Sequence, residues 1–327
     1  MKKRIVILAS EHCMYSGVAS PMDMFIQAGV TWNGFLGLEP SPFFEVHIVT
    51  ADGKAVQTYN DMTIQPHASI DQVDLPDLIF IPSHGFHFAA EDPQLAAKLD
   101  WLRDCHRRGS RLASACTGAF LLARTGLLDG RMATTHWGAA RAFRETFPKV
   151  KLRTDLLVTD DHKLYCGGGV TADLNLSLYL IQQFCGREVA IQCSKCTLVD
   201  IDRLSQAPFT TFIPEKDHND ALILQLQHWI DRHQAEEITI ETLARQASLS
   251  PRQLNRRFKQ ATGESILTYL QKTKIEIVKT LLEQTNRKFA DITQAVGYHN
   301  ESHLRRLFKR QTGLSPKAYR QKFSSSI

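Results

Sequence analysis

From Arg4 to Gly186 the chain alternates short β-rich apolar runs with stretches of helical period. Six runs read as strands: RIVILA at 4–9, FFEVHIVT at 43–50, DLIFIP at 77–82, SRLASA at 110–115, DLLVT at 155–159 and KLYCGG at 163–168. Between them lie four helical patterns. These are SPMDMFIQAG, read with Ser20 as cap and Pro21 at its first helical position, then DPQLAAKLDWLRDCHRRG, TGAFLLARTG and TADLNLSLYLIQQFCG. Strands that are apolar throughout, rather than alternating, are buried on both faces. The pattern therefore predicts an α/β fold, a mostly parallel sheet with helices on both faces.

The period is lost after Arg187, and the stretch ending in QAPFTTFIPEKDHND holds two prolines; it reads as a linker. Everything beyond it is helical, starting with DALILQLQHWIDRH. The expected division is a front domain at 1–190, a linker at 191–218 and an all-α domain at 219–327.

Two tail segments share one plan. Ile238–Ile266 and Phe289–Tyr319 each hold a short helix with small or aliphatic inward positions (Leu243, Ala244, Ala247; Ile292, Ala295, Val296), a brief turn, and a second helix with an apolar seam. The seam is Leu254 and Phe258 in one copy and Leu304, Leu307 and Phe308 in the other. Each copy closes on a Thr-Gly pair, Thr262-Gly263 and Thr312-Gly313, suited to a helix C-cap. The plan is that of two helix-turn-helix motifs.

Charge sharpens this picture. Residues 219–327 carry 18 Lys and Arg against 10 Asp and Glu, whereas residues 1–218 carry 21 against 24. A basic tail on a neutral-to-acidic body points to a polyanion partner. The outward positions of the two second helices are Arg252, Gln253, Asn255, Arg256 and Lys259, and Asn300, Glu301, His303, Arg305, Arg306 and Lys309. Arginine, asparagine and glutamine make paired hydrogen bonds to purine edges in the major groove, while lysine mostly meets phosphate. Arg252, Gln253, Asn300 and His303, near the helix N-termini, are the stronger candidates for base contact. The plainer alternative is a pair of solvated helix faces.

The N-terminal apolar run is about five residues long, too short for a signal peptide, and no run approaches the ~18 residues of a membrane span. Seven scattered cysteines, an odd number, suit reduced thiols better than a disulfide framework. A cytoplasmic location, with no membrane partner, is the expectation.

In the front domain Cys116 sits between a strand and a helix, lifted above the sheet edge. The helix N-terminus behind it is expected to lower the thiol pKa. Ser83 and His84 end another strand, Thr117 follows the cysteine, and His136 follows a further short one; in an open parallel sheet such carboxyl ends meet in one crevice. Cys116, Thr117, His136, Ser83 and His84 are therefore the candidate ligand pocket, against the plain alternative of a small buried thiol. Cysteine catalysis needs a base and a group that orients it. Trp137 and Gly138 follow His136, and no carboxylate lies two residues on. No metal or cofactor set is read: CSKC at 193–196 lacks a second pair, the glycines of CGGGVTADLN lack the phosphate-loop pattern, and His84 and His87 have no partners at ligand spacing. Trp137, Phe86 and Phe88 fit a core as well as a cage for a quaternary amine.

The stretch GYHNESHLRRLFKRQTGLSPKAYR closely resembles the signature of the AraC/XylS transcription regulators over about 221–323, with Tyr298 and Leu304 in place of the usual phenylalanines. Residues 4–186 resemble the ThiJ/PfpI branch of the class I glutamine amidotransferase-like proteins, which implies a flavodoxin-like arrangement of the mostly parallel sheet. There Cys116 matches the nucleophile-elbow position and His136 that of the catalytic histidine. The resemblance implies two recognition helices, joined by the long helix SILTYLQKTKIEIVKTLLEQ, entering successive major grooves that recur every ~34 Å on double-stranded DNA. It further implies a homodimer responsive to a small-molecule effector and an activator that recruits RNA polymerase. Gly17 stands where related regulators often carry Asp, and IPSHG departs from the usual Gly-Gly. These departures favour a non-catalytic sensor over a cysteine-dependent amidase or peptidase or a redox sensor.

Overall fold

The structure is a computed structural model describing residues 2–85, 92–233, 236 and 238–324; Phe86, His87 and Phe88 lie outside the described residues. Two compact units emerge, Met1–Gln206 and Ala207–Ile327.

In chain order the first unit runs β1 Lys3–Leu8, α1 Tyr15–Ile26, α2 Thr31–Phe35, β2 Phe44–Thr50, β3 Val56–Gln57, β4 Thr63–Ile64, β5 Ala68–Ser69, β6 Leu78–Ile81, α3 Leu95–Arg107, β7 Arg111–Ala115 and α4 Gly118–Arg124. It continues with β8 Met132–Ala133, a 3-10 turn at Trp137–Ala139, α5 Ala140–Thr146, β9 Lys151–Leu152, β10 Val158–Asp161, β11 Leu164–Gly167, α6 Ala172–Cys185 and α7 Arg187–Thr197. Seven strands form one sheet in the order β10-β11-β7-β6-β1-β2-β5, parallel except for the β10 edge.

The apolar strands are buried on both faces, as their unbroken hydrophobicity requires. Ile5, Ile7, Leu78, Phe80 and Ala113 enter one core with residues of α1 and α6. Val6, Leu8, Ile79, Ile81 and Leu112 enter the other with residues of α3 and α4. The strand order reverses between β1 and β6, so a crevice opens at their carboxyl ends, where open α/β sheets hold ligands.

Two expectations are corrected. The first helix begins at Tyr15, not at Pro21, with Met14 as its N-cap; Ser20 caps nothing and Pro21 lies inside the helix. Burial decides this, because Val18, Pro21, Met24 and Phe25 form one inward face only if the helix starts before Ser20. The expected linker at 191–218 is also largely structured. Its first part is the end of α7, which buries Ala190 and Cys193. Leu157 N–H donates to Leu204 O at 3.0 Å, Ser205 bridges Leu156, and Gln206 is buried.

The second unit is helical: α8 Ala221–Arg232, α9 Ile240–Gln246, α10 Pro251–Thr262, α11 Ile266–Gln284, α12 Phe289–Ala295, α13 Glu301–Thr312 and α14 Pro316–Phe323. Two cores share α11. Its first half gives Ile266, Tyr269 and Leu270 to the core of α8–α10. Its second half gives Ile275, Val278 and Leu282 to that of α12–α14. At the changeover the buried Lys274 donates to Glu236 O (2.6 Å) and Val296 O (2.7 Å), so its charge is solvated by backbone from both halves.

The two helix-turn-helix copies repeat in detail. Leu254 and Phe258, and Leu304, Leu307 and Phe308, are the buried seams. Gly263 (φ 79°) and Gly313 (φ 73°) end α10 and α13 in the left-handed region that glycine tolerates. Thr262 and Thr312 donate back to Phe258 O and Phe308 O at 2.8 and 2.9 Å.

Candidate functional site

Cys116 lies at the turn from β7 into α4 with φ 53°, a strained backbone for a side chain of its type. Its N–H donates to Gly167 O (2.7 Å) and its carbonyl accepts from the Thr135 hydroxyl (2.8 Å). Tight packing holds the turn in place: a Cβ on Gly118 would lie 2.5 Å from Pro82 O. Thr117 reaches across to β6, its Oγ1 sharing a hydrogen bond with Ser83 Oγ (3.0 Å) and accepting from His84 N–H (3.0 Å). Cys116, Thr117, Ser83 and His84 are thus brought together at the sheet's carboxyl edge.

The expected thiol acidity is not found. Burial pushes the Cys116 thiol above its ordinary value, and the hydroxyls of Ser83 and Thr117 only partly oppose this. The helix behind it has just seven residues, and the nearby Asp173 carboxyl further disfavours a thiolate. Gly17 lies against this spot: a Cβ there would be 3.4 Å from Ser83 N, so the position faces the site and supplies no acid.

His136 is half-buried, and its Nδ1 accepts from Gly138 N–H (3.0 Å). Burial lowers its pKa, which keeps it neutral. Its ring leans on Trp137 at 5.3 Å. No hydrogen bond joins His136 to Cys116 among the described residues. His84 Nε2 meets Ser10 Oγ at 2.6 Å, and desolvation, aided by the Lys98 cation, brings the His84 pKa down to about 4. Lys98, itself buried, pairs with Asp92 at 2.6 Å.

Two residues were missed by the pattern. Asp173, 2% exposed at the start of α6, has its pKa raised to about 7 by burial. Gln206 inserts its amide among Thr134 Oγ1, Thr135 O and the Trp137 N–H at 3.1, 2.9 and 3.2 Å. The acid at a helix start was visible in the sequence, but its burial was not; nothing local marks Gln206. Cys193 and Cys196 are free thiols on α7, and no group of three or more His, Cys, Asp or Glu is placed to hold a metal ion among the described residues.

In the second unit, Arg252, Arg256 and Lys259 are exposed on α10, and Arg306 and Lys309 on α13; none has an ion-pair partner among the described residues. The amides sit differently. Gln253 completes a capping box with Ser250, Asn300 Oδ1 accepts from His303 N–H (2.9 Å), and Asn255 Oδ1 accepts from Ile266 N–H (3.3 Å). Glu301 pairs with Arg305, whose guanidinium also covers the Phe289 ring. The His303 ring stacks on Tyr298. Arg257 holds Asp220, the cap of α8, at 2.6 and 2.9 Å.

Residues 3–183 match the DJ-1/PfpI family and residues 243–322 a helix-turn-helix domain. The chain belongs to the DJ-1/PfpI-type transcriptional regulators. It is 30% identical over 225 residues to the HTH-type transcriptional regulator GlxA of Rhizobium meliloti (strain 1021), covering 68% of this chain and 69% of that one. It is 28% identical over 281 residues to the HTH-type transcriptional regulator CdhR of Pseudomonas aeruginosa, covering 83% and 80%. An isonitrile hydratase of Pseudomonas putida is 30% identical over 151 residues, 46% of this chain and 63% of the enzyme. The solved structure of an AraC family transcriptional regulator from Pseudomonas putida shares the fold of the front unit, with a TM-score of 0.51, 20% identity, and coverage of 60% of this chain and 99% of that one. This DJ-1/PfpI-type regulator has no helix among the described residues long and apolar enough to cross a membrane. With its helix-turn-helix tail it is a DNA-binding transcription regulator.

Proposed function

We propose that the crevice at Cys116, Thr117, Ser83, His84 and His136 binds a small effector without transforming it, and that α10 and α13 read successive major grooves of the operator. The observation that carries the non-catalytic reading is the pairing of a thiol pushed above its ordinary pKa with a histidine whose Nδ1 accepts a backbone N–H and which makes no bond to that thiol. A nucleophilic cysteine needs the opposite on both counts. The effector shifts a two-state equilibrium of a homodimer, changing how the paired tails meet DNA. The protein acts in the cytoplasm as an activator that recruits RNA polymerase.

On DNA, Arg252, Arg256 and Arg306 supply base contacts, and Lys259 and Lys309 meet phosphate. Gln253, Asn255, Asn300, Glu301, His303 and Arg305 complete the DNA-facing set; Gln253 and Asn300 also hold the starts of α10 and α13, and Asn255 ties α10 to the start of α11. The test is transcription from a responsive promoter with Cys116→Ala. Retained effector response with no turnover supports a binding pocket, whereas effector turnover abolished by the same substitution would replace it with the hydrolase reading.

A further inference from the structure

The segment Ala207–Lys216 lies across both halves of the DNA-binding unit. It carries two phenylalanines, Phe209 and Phe212, and each starts an aromatic chain that ends on a different recognition helix. The Phe209 ring meets Phe323 of α14 edge-on at 5.4 Å, Phe323 meets Tyr319 at 4.6 Å, and Tyr319 meets Phe308 of α13 at 5.2 Å. The Phe212 ring meets Tyr269 of α11 at 5.4 Å, and Tyr269 meets Phe258 of α10 at 5.1 Å. Phe258 and Phe308 are the matching seam residues of the two helix-turn-helix copies, and both are fully buried. A lysine ammonium covers each ring of the segment, Lys322 over Phe209 and Lys272 over Phe212, both at 5.1 Å.

Between the two rings the backbone is pinned to α11. Buried Lys279 donates to Thr210 O at 2.6 Å, Glu276 accepts from Phe212 N–H at 3.0 Å, and the two side chains pair at 2.8 Å. Further on, Glu215 O accepts from Gln227 of α8 at 2.6 Å, and Lys216 pairs with Asp231 of the same helix. We infer that this strap, with Glu276 and Lys279 as its positioning residues, sets the spacing between the two grooves that α10 and α13 accept. This role rests on the proposed entry of these helices into successive major grooves. Besides α11 and the Lys274 bonds, the strap is a further connection between the core of α12–α14 and that of α8–α10. Tilting one core against the other must separate its ring contacts or break its bonds to Glu276 and Lys279. One added base pair moves the second groove by ~3.4 Å along the duplex and ~35° around it. A held pair of helices tolerates that poorly, whereas a loosened pair follows it.

The probe is the duplex that the full-length protein selects from a random pool. Its altered form carries one extra base pair between the positions whose base preference Arg256→Ala and Arg306→Ala relax. Wild-type affinity is expected to fall at least roughly tenfold on insertion. Glu276→Ala and Phe209→Ala should each reduce that discrimination to about threefold or less, while Phe209→Tyr, which keeps the ring, retains it. Ile292→Val trims the core of α12–α14 without touching these ring contacts, and should leave the ratio between the two duplexes as in the wild type. Wild-type indifference to the inserted base pair overturns the inference. So does a ratio that survives in both Glu276→Ala and Phe209→Ala, or one that falls equally in Ile292→Val. If neither arginine substitution relaxes any position, the two-groove reading itself fails and takes the strap's role with it.

Discussion

The Gln206 amide donates to the Thr135 carbonyl at 2.9 Å, and the Thr135 hydroxyl donates to the Cys116 carbonyl at 2.8 Å. The elbow of the front unit is therefore two hydrogen-bonded steps from the residue at which that unit ends. Gln206→Ala leaves buried partners at Thr134 and Thr135 without a donor, and a loss of about 1–3 kcal/mol is expected in urea denaturation of the full chain. The same variant should blunt the effector's influence on operator affinity while changing effector-free affinity less than twofold. Gly168→Ala should do comparable damage, because its Cβ would sit 2.5 Å from Gln206 Nε2.

On the recognition helices, Arg256→Ala and Arg306→Ala should each weaken operator binding by about 1–3 kcal/mol and relax base preference at one position. Lys259→Ala should instead lower the salt slope by about one with preference intact. Competition binding at two salt concentrations distinguishes the two behaviours. Arg257→Ala should act through folding rather than readout, since its partner is Asp220.

Buried Asp173 and half-buried His84 give the front unit opposite pH limbs. His84 titrates at about 4 in the folded chain against 6.5 ordinarily, so unfolding takes up a proton between those values. Its contribution is full above pH 6.5 and is lost as pH falls towards 4. Asp173 titrates at about 7 against 3.8, so its contribution is present below pH 3.8 and is lost as pH rises to 7. Each limb is worth on the order of 3 kcal/mol. Asp173→Asn is expected to raise stability at pH 8 and to leave it unchanged near pH 4, read from denaturation midpoints across pH.

The Cys116 thiol, 4% exposed and raised in pKa, should alkylate more slowly than free cysteine at pH 7.5. Peroxide at levels that oxidise acidic thiols should leave operator binding unchanged. Rapid iodoacetamide labelling mapped to Cys116 by mass spectrometry would revive the redox reading.

Much of this was legible because burial on both faces leaves an unbroken apolar run, as at β1, β6 and β7, and because a duplicated seam and Thr-Gly ending announce themselves twice. The start of α1 was hidden by a Ser-Pro pair that imitates a cap, with burial of Val18 deciding otherwise. α7 was hidden because only Ala190 and Cys193 are buried among polar neighbours. In the site, the sequence brought Ser83, His84, Cys116 and Thr117 to one edge. It did not reveal that His136 makes no bond to Cys116, nor that desolvation outweighs a short helix at the thiol. Gln206 has no local signature at all, because what distinguishes it is only where its amide ends.

The side-chain caps at the starts of α10 and α13 bear on the genome. Asn and Gln amides are the usual readers of adenine, and here Gln253 and Asn300 are engaged in holding their own helices. Under the proposed DNA reading, the guanidinium groups are the leading readers, and their natural match is the O6 and N7 edge of guanine. Promoters under this regulator should be marked by G·C pairs spaced one helical turn apart, set within half-sites whose remaining positions drift freely.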